Sequence, residues 1–200
     1  MEQEEFDLLS LKPRNSKKEH LITLKIYAQS YFFIGNIMTF FCNMFFFLYL
    51  KEYTGVGFSD LVFTFGNLPT EKLLARGISI DDFNGYYVNT AQCVCFVTLV
   101  ILQWGNILSV RNRRMSILQA DPFRKERRNL WLFLGCLASF LVAVLVTETP
   151  GIQNIMLTNS VPIKYWLLPL PCALFIVVVD DIRKLIVRTF PNSFLARIAW

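Results

Sequence analysis

Four long stretches without a charged side chain constrain this chain more than any other feature of its sequence. They run over 26–50, 83–110, 129–147 and 165–179. A helix needs about 20 apolar residues to cross the hydrocarbon core of a bilayer. The first three stretches meet that length, and the fourth is shorter, so the charged residues at its ends must reach toward the interfaces. The pattern predicts an integral membrane protein.

Basic residues are distributed very unequally among the segments between these stretches. Sixteen of the twenty Lys and Arg residues lie in 1–25, in 110–128 and in the tail after Asp181. The two remaining connections carry Lys51, Lys72, Arg76 and Lys164. Segments rich in Lys and Arg stay in the cytosol because these side chains resist translocation. Four crossings then return both termini to the cytosolic side.

The predicted fold class is all-α, with four transmembrane helices packed as one bundle. The predicted helices span 26–50, 89–110, 129–147 and 163–182. The predicted cytosolic segments are 1–25, 111–128 and 183–200, and the predicted exoplasmic loops are 51–88 and 148–162. A re-entrant fourth helix is the alternative, and it is disfavoured because it would leave Arg183 and its neighbours on the side poor in basic charge.

Composition excludes several other classes of protein. An apolar content of 54% with nineteen Phe residues suits a lipid-facing surface better than a water-facing one. The net charge of +5 lies beside the apolar stretches, where it sets orientation and meets anionic lipid head groups. We therefore expect the lipid bilayer as a partner and no nucleic acid. The five cysteines fall in apolar stretches and are expected to pack as thiols.

Polar side chains at membrane depth are the first candidates for function, because they are costly in hydrocarbon. Gln103 and Asn106 are three residues apart and share a helix face. Their carbonyl oxygens suit a hard cation. Hydrogen bonding to neighbouring helices is the alternative, and it is favoured because no carboxylate accompanies the two amides. Other polar side chains at this depth are Asn36, Thr39, Asn43 and Ser139.

A cluster of charged residues closes the fourth predicted helix: Asp180, Asp181, Arg183 and Lys184. Asp180 has the spacing to pair with Arg183 and Lys184. Cations also suit the negative carboxyl end of a helix. The pattern predicts a charged helix end at the cytosolic interface, with docking of a cytosolic domain as the alternative. No nucleophile, base or metal cluster stands out in the sequence, so no catalytic residue is predicted in this chain.

Short motifs follow one another in a recognisable order along nearly the whole chain. They are Glu2-Gln3, Lys12-Pro13-Arg14-Asn15, His20-Leu21-Ile22, Tyr31-Phe32-Phe33-Ile34-Gly35, Gln103-Trp104, Arg113-Arg114, Pro150-Gly151, and Asp180-Asp181-Ile182-Arg183-Lys184-Leu185 with Arg188. In this order they resemble the carboxyl-terminal region of the P-type cation-transporting ATPases. The resemblance is closest to the catalytic subunits of the sodium/potassium and proton/potassium pumps. Each motif is weak alone, and their order makes the resemblance specific.

The resemblance implies the membrane support domain, helices seven to ten, of an ATP-driven pump for a monovalent cation in the plasma membrane. The phosphorylated-aspartate motif of the family is absent from these 200 residues. ATP and magnesium are therefore implied only for catalytic domains missing from this chain, which reads as part of a longer pump. The implied partners are the remaining helices and cytosolic domains of that pump. A free-standing four-helix protein, acting as an assembly or regulatory partner, is the alternative.

Departures from the family pattern limit what the resemblance implies. Gln103 falls where the family has an eighth-helix ion-site residue, but Asn106 stands where the sodium pump has an aspartate. Ala138 and Ser139 stand where the ninth helix has a glutamate pair, so the additional sodium site is not implied. The stretch that contacts a β-type subunit is not found, and Asp82-Phe-Asn-Gly-Tyr-Tyr87 occupies its region. A β-type subunit is thus a partner without support in this sequence.

The predicted topology can be tested by tagging both ends of the chain. We expect a tag before Met1 and a tag after Trp200 to be protected together in intact cells and exposed together after permeabilisation. Four crossings require this result, because an even number returns the chain to its starting side. Antibody access before and after permeabilisation measures it, and access to one tag alone in intact cells contradicts the four crossings.

Overall fold

The computed structural model describes residues 24–62, 69–111 and 129–190, and their regular structure is helical, with no strand. The helices in chain order are α1 (Leu24–Thr54), α2 (Phe58–Leu61), α3 (Thr70–Leu74), α4 (Ile80–Val110), α5 (Leu130–Glu148), α6 (Pro150–Met156), α7 (Ile163–Leu167) and α8 (Pro169–Thr189). Most of the amino-terminal segment, the basic loop and the tail, which the sequence places in the cytosol, lie outside the described residues.

Three of these helices, α1, α4 and α5, are long and apolar enough to cross a membrane. They confirm the predicted all-α membrane bundle. Both α1 and α4 run beyond the predicted spans of 26–50 and 89–110. Gly55 ends α1 with φ of +78°, a conformation that costs glycine little. At the other end of this connection, the Ser79 hydroxyl caps α4 by accepting a hydrogen bond from the Asp82 N–H.

The fourth predicted span differs from the other three. The sequence predicts one helix over 163–182, whereas the structure has α7 followed at once by α8, with Pro169 at the start of α8. Proline suits the first turn of a helix because it has no backbone N–H to satisfy there. α8 is 21 residues long and carries its five charged residues in its carboxyl-terminal half. Its crossing of the membrane, and the side on which each loop lies, stay predictions.

α4 is the central helix of the described bundle. It packs against α1 along one face and against α8 along another. Its side chains Ala91, Val94 and Leu102 are fully buried. α5 is peripheral by comparison, because Ala143 and Thr147 are the buried residues of its 19 within the described part of the chain. Most of the surface of α5 therefore faces away from the other described helices.

The backbones of α4 and α8 touch where Gly105 meets Ala173. A Cβ atom on Gly105 would overlap the Ala173 carbonyl oxygen and would lie 3.0 Å from the carbonyl carbon. Neither atom belongs to a flexible side chain that could move aside. Small residues at helix crossings allow this close approach in membranes, where packing contributes much of the association between helices. Gly105 therefore determines how closely the two helices pack.

Polar contacts hold the predicted exoplasmic end of the bundle. The Glu52 carboxylate, at the end of α1, accepts hydrogen bonds from Lys164 Nζ at 2.7 Å and from the Tyr165 hydroxyl at 2.8 Å. In the connection between α1 and α4, Lys72 Nζ lies 2.6 Å from Asp60 Oδ1. This hydrogen bond from the Lys72 ammonium holds the pKa of the Asp60 carboxyl below its ordinary value. These contacts hold together the described parts of the connection between α1 and α4, and they join α1 to α7.

Substituting Gly105 should show how much stability the close contact contributes. We expect Gly105→Ala to lower the free energy of unfolding by about 1–3 kcal/mol, because the new methyl group overlaps the Ala173 backbone. The matched control is Gly135→Ala in α5, where a Cβ atom would meet nothing within 4 Å. The control should be neutral or stabilising, since alanine favours helix over glycine. Thermal unfolding in detergent, followed by circular dichroism, measures both, and equal behaviour of the two variants contradicts the close contact.

Candidate functional site

Gln103 and Asn106 lie on one face of α4, as their spacing predicts. Asn106 Nδ2 donates a hydrogen bond to Gln103 Oε1 over 3.2 Å. Asn106 Oδ1 is buried and has no hydrogen-bond partner among the described residues. Among the described residues, neither amide hydrogen-bonds to another helix. A buried carbonyl oxygen without a partner costs about 1–3 kcal/mol. Thr98 Oγ1 is likewise buried without a partner among the described residues, so Asn106 is one of two side chains of α4 that would gain from an outside partner.

The two amides line a cavity of about 660 Å³ between α1, α4 and the start of α5. Gln29, Ser30 and Arg111 are its other polar and charged lining residues. Gln29 and Ser30 belong to a π-helical segment of α1, Ala28–Gly35. Segments of this kind inside α-helices often occur at functional sites. The sequence did not single out these two residues, because nothing in an uncharged stretch shows which side chains face a cavity.

The chemistry of this lining is that of neutral oxygen ligands. Gln103 and Asn106 offer carbonyl oxygens and Ser30 offers a hydroxyl, all of which suit a hard cation. No aspartate or glutamate is among the lining residues that the structure describes, and Arg111 adds positive charge. Within the described ranges, no three His, Cys, Asp or Glu side chains are grouped so as to hold a metal ion. The lining can therefore contribute ligands to a cation but does not neutralise its charge.

The other polar side chains predicted at membrane depth do not join this cavity. Asn36 Nδ2 and Asn43 Nδ2 each donate over 2.9 Å to carbonyls one turn earlier in α1, and both residues are exposed. Ser139 instead accepts a hydrogen bond from Trp104 Nε1 over 2.9 Å, which links α5 to α4. Hydrogen bonding between helices thus describes Ser139, whereas the asparagines of α1 are satisfied within their own helix.

The charged cluster at the end of α8 is buried against α4. Asp180 is 1% exposed and Lys184 is 3% exposed. The Asp180 carboxylate forms ion pairs with Arg183 Nε at 2.7 Å and with Lys184 Nζ at 3.0 Å. These are the two pairings that the spacing predicts. Asp180 also accepts a hydrogen bond from the Ser109 hydroxyl, and Lys184 Nζ donates to the Ser109 carbonyl over 2.6 Å. The hydroxyl of Ser109 therefore binds Asp180, and its backbone carbonyl binds Lys184.

This burial refines the interpretation of the cluster. The sequence predicts a charged helix end at the cytosolic interface, and the structure adds that Asp180 and Lys184 lie in the contact between α8 and α4. Asp181 is more exposed, with 19% of its side chain accessible. Ser109 gave no signal in the sequence, because a single serine near the end of an apolar stretch is common in membrane helices. The cluster joins α8 to the end of α4 about one turn beyond the Gly105 contact.

Comparison with known proteins gives consistent matches over the chain. Residues 1–186 match the family model described as cation transporting ATPase, C-terminus. The chain is 28% identical over 204 residues to the sodium/potassium-transporting ATPase subunit alpha-4 of Homo sapiens, covering 98% of this chain. It is 31% identical over 200 residues to the potassium-transporting ATPase alpha chain 1 of Xenopus laevis, covering 96% of this chain. In both cases the matched part is 19% of the relative's length.

Removing one charge of the buried Asp180–Lys184 pair should destabilise the bundle, because the other charge then stays buried alone. Removing both charges together should cost less than the two single changes added. We expect Asp180→Asn to lower the free energy of unfolding by about 3–5 kcal/mol, because it leaves Lys184 buried without its main counter-charge. The double variant Asp180→Asn with Lys184→Met should lose less than the sum of the two single variants. Denaturation of the chain in mixed micelles measures all three variants.

The matched control for this experiment is Asp60→Asn, which breaks the exposed pair with Lys72. Exposed ion pairs contribute little to stability, so we expect a much smaller loss. A loss for Asp180→Asn no larger than that for the control would show that the cluster at the end of α8 does not stabilise the bundle.

Proposed function

The chain belongs to the cation-transporting ATPase carboxyl-terminal family, and on this basis we propose that it is the membrane support domain of an ATP-driven pump for a monovalent cation. It spans about 19% of the length of the relatives it matches. ATP hydrolysis, with its magnesium ion, takes place in this proposal in parts of the pump beyond the chain. The proposal places the pump in the plasma membrane with both ends of this chain in the cytosol.

The observation that carries the proposal is the double attachment of α8 to α4. The backbones touch at Gly105 and Ala173, and Ser109 binds the buried Asp180–Lys184 pair one turn further on. Sliding α8 along α4 would break a buried charge pair and its hydrogen bonds, at a cost of several kcal/mol. Two helices joined in this way move together as one body. A rigid body suits the part of a pump against which mobile, ion-carrying helices move.

The exposed faces of the bundle support the same proposal. α5 carries large apolar side chains that are exposed, among them Trp131, Leu137 and Leu141. Such surfaces belong against lipid or against other membrane helices. In the proposal, part of this surface contacts the remaining helices of the pump. The rigid α4–α8 pair then lies behind α5 as its support.

Gln103 and Asn106 have a second role in the proposal, as neutral ligands to the transported cation. Its support is the buried Asn106 Oδ1 without a partner, in the wall of a cavity of about 660 Å³. A cation placed there would satisfy this oxygen and that of Gln103. Carboxylates that compensate the charge of the cation belong, in this proposal, to helices beyond the chain.

The experiment replaces Gln103 with Ala in a full-length pump that carries this chain as its carboxyl-terminal part. We expect the cation concentration for half-maximal phosphorylation to change by about tenfold, the effect of losing one polar contact to a charge of roughly 1.5 kcal/mol. Asn106→Asp should strengthen cation binding, because it adds a carboxylate beside the cavity. Phosphorylation from radiolabelled ATP, titrated with sodium and with potassium, measures both variants.

The matched control is Asn43→Ala, because Asn43 is exposed on α1 and bonded to its own helix. We expect this control to leave the cation titration unchanged. If the cation titration is also unchanged in Gln103→Ala and Asn106→Asp, the two amides are not cation ligands and serve only in packing between helices. The support-domain role itself has a separate test, the full-length pump that carries the unaltered chain. If this pump inserts into the membrane but is not phosphorylated at any cation concentration, the role is contradicted.

A further inference from the structure

α6 and the residue after it expose three consecutive apolar side chains. Ile155, Met156 and Leu157 are 80%, 61% and 74% exposed. No Asp, Glu, Lys or Arg lies between Glu148 and Lys164. An exposed apolar group without charged neighbours is unfavourable in water, and it suits a surface that meets another apolar phase.

Hydrogen bonds fix the depth of this segment along the bundle. The Thr158 hydroxyl donates to the Val146 carbonyl over 2.7 Å, in the last turn of α5. The Asn159 N–H lies 3.3 Å from Cys93 Sγ, and Asn159 Nδ2 donates to Thr90 Oγ1 over 3.1 Å. Thr90 and Cys93 belong to the apolar stretch of α4. The residues that follow α6 thus fold back beside the ends of two helices able to span the membrane.

The backbone at Leu157 gives an independent indication. Leu157 ends α6 with φ of 54° and ψ of 38°, in the left-handed region, and it is the one non-glycine residue in the described part of the chain with positive φ. A side chain there costs roughly 1–2 kcal/mol, so this position usually holds glycine or asparagine. Leu157 recovers little of that cost by packing against the described residues, because most of its side chain is exposed. An apolar medium outside the described protein would offset it.

We propose that Ile155, Met156 and Leu157 form an interfacial anchor that inserts into the adjacent lipid leaflet. Their depth beside the ends of α4 and α5 places them at the boundary between head groups and acyl chains. Interfacial apolar segments of this kind are buried about 5–10 Å below the head groups. The bonds from Thr158 and Asn159 couple the anchor to α5 and α4, so it sets the depth of the bundle in the bilayer.

The anchor goes beyond the proposed pump function and needs neither ATP nor a transported ion. It requires the chain to reside in a membrane, with α6 at the level of the helix ends. It also commits to lipid as the partner. Coverage of the three side chains by another protein is a different result that the experiment distinguishes.

The experiment places a small fluorescent amino acid at position 155 of the full chain, reconstituted in phosphatidylcholine vesicles. Some of the lipid carries bromine at a shallow or a deep acyl position. We expect quenching by lipid at 155 to exceed that at a control probe by about threefold or more, and to be strongest for shallow bromine. The control probe replaces Asp81, which is exposed in the first turn of α4. Iodide in the water should show the opposite order.

A second variant, Leu157→Gly, tests the anchor without straining the backbone, since glycine adopts the left-handed conformation readily. We expect unchanged helical circular dichroism and reduced lipid quenching of the probe at 155. Unchanged quenching overturns the role of Leu157. A probe at 155 that iodide quenches as strongly as the probe at 81 overturns the anchor, because water then covers α6. Protection from both quenchers also overturns it, because a protein surface then covers the segment.

Discussion

The contact between α4 and α8 is the constraint on which the rest of this structure depends. Gly105 allows the two backbones to touch at Ala173, and the approach places Ser109 within reach of Asp180 and Lys184. A larger residue at 105 would separate the helices and leave a charged pair without two of its hydrogen bonds. Burial of that pair is tolerable only because each charge has partners. The close packing of α4 and α8 and the hydrogen bonds of the buried charged pair therefore depend on each other.

Polar groups within the bundle divide into those that are satisfied and those that are not. Ser139 is bonded to Trp104 of a neighbouring helix. Asn36 and Asn43 are bonded to carbonyls of their own helix. Asn106 Oδ1 has no partner within the described part of the chain, and it lies in the wall of a cavity with Gln103. In a low-dielectric interior an unsatisfied oxygen is costly. Such a group is a more specific functional indication than the presence of an amide in the sequence.

The two ends of the bundle are held in different ways. At the end that holds the α8 cluster, the interaction is a buried ion pair shared with Ser109. At the opposite end, Glu52 joins α1 to Lys164 and Tyr165, and Thr158 and Asn159 bind the segment after α6 to α5 and α4. These bonds are numerous and partly exposed, so each contributes modestly. Together they hold the apolar residues of α6 at the level of the helix ends.

Local chemistry determined much of this protein from sequence alone. Long uncharged stretches predict α1, α4 and α5, because hydrocarbon requires each spanning segment to satisfy its own backbone. Helical spacing likewise predicts the pairing of Asp180 with Arg183 and Lys184, and the common face of Gln103 and Asn106. The direction in which each face points was decided only by the tertiary structure. A helix that is apolar all round carries no stripe that distinguishes its inner face from its lipid face. For that reason the outward asparagines of α1, the partnership of Ser109 with Asp180, and the exposure of Leu157 emerge only when the helices are packed together.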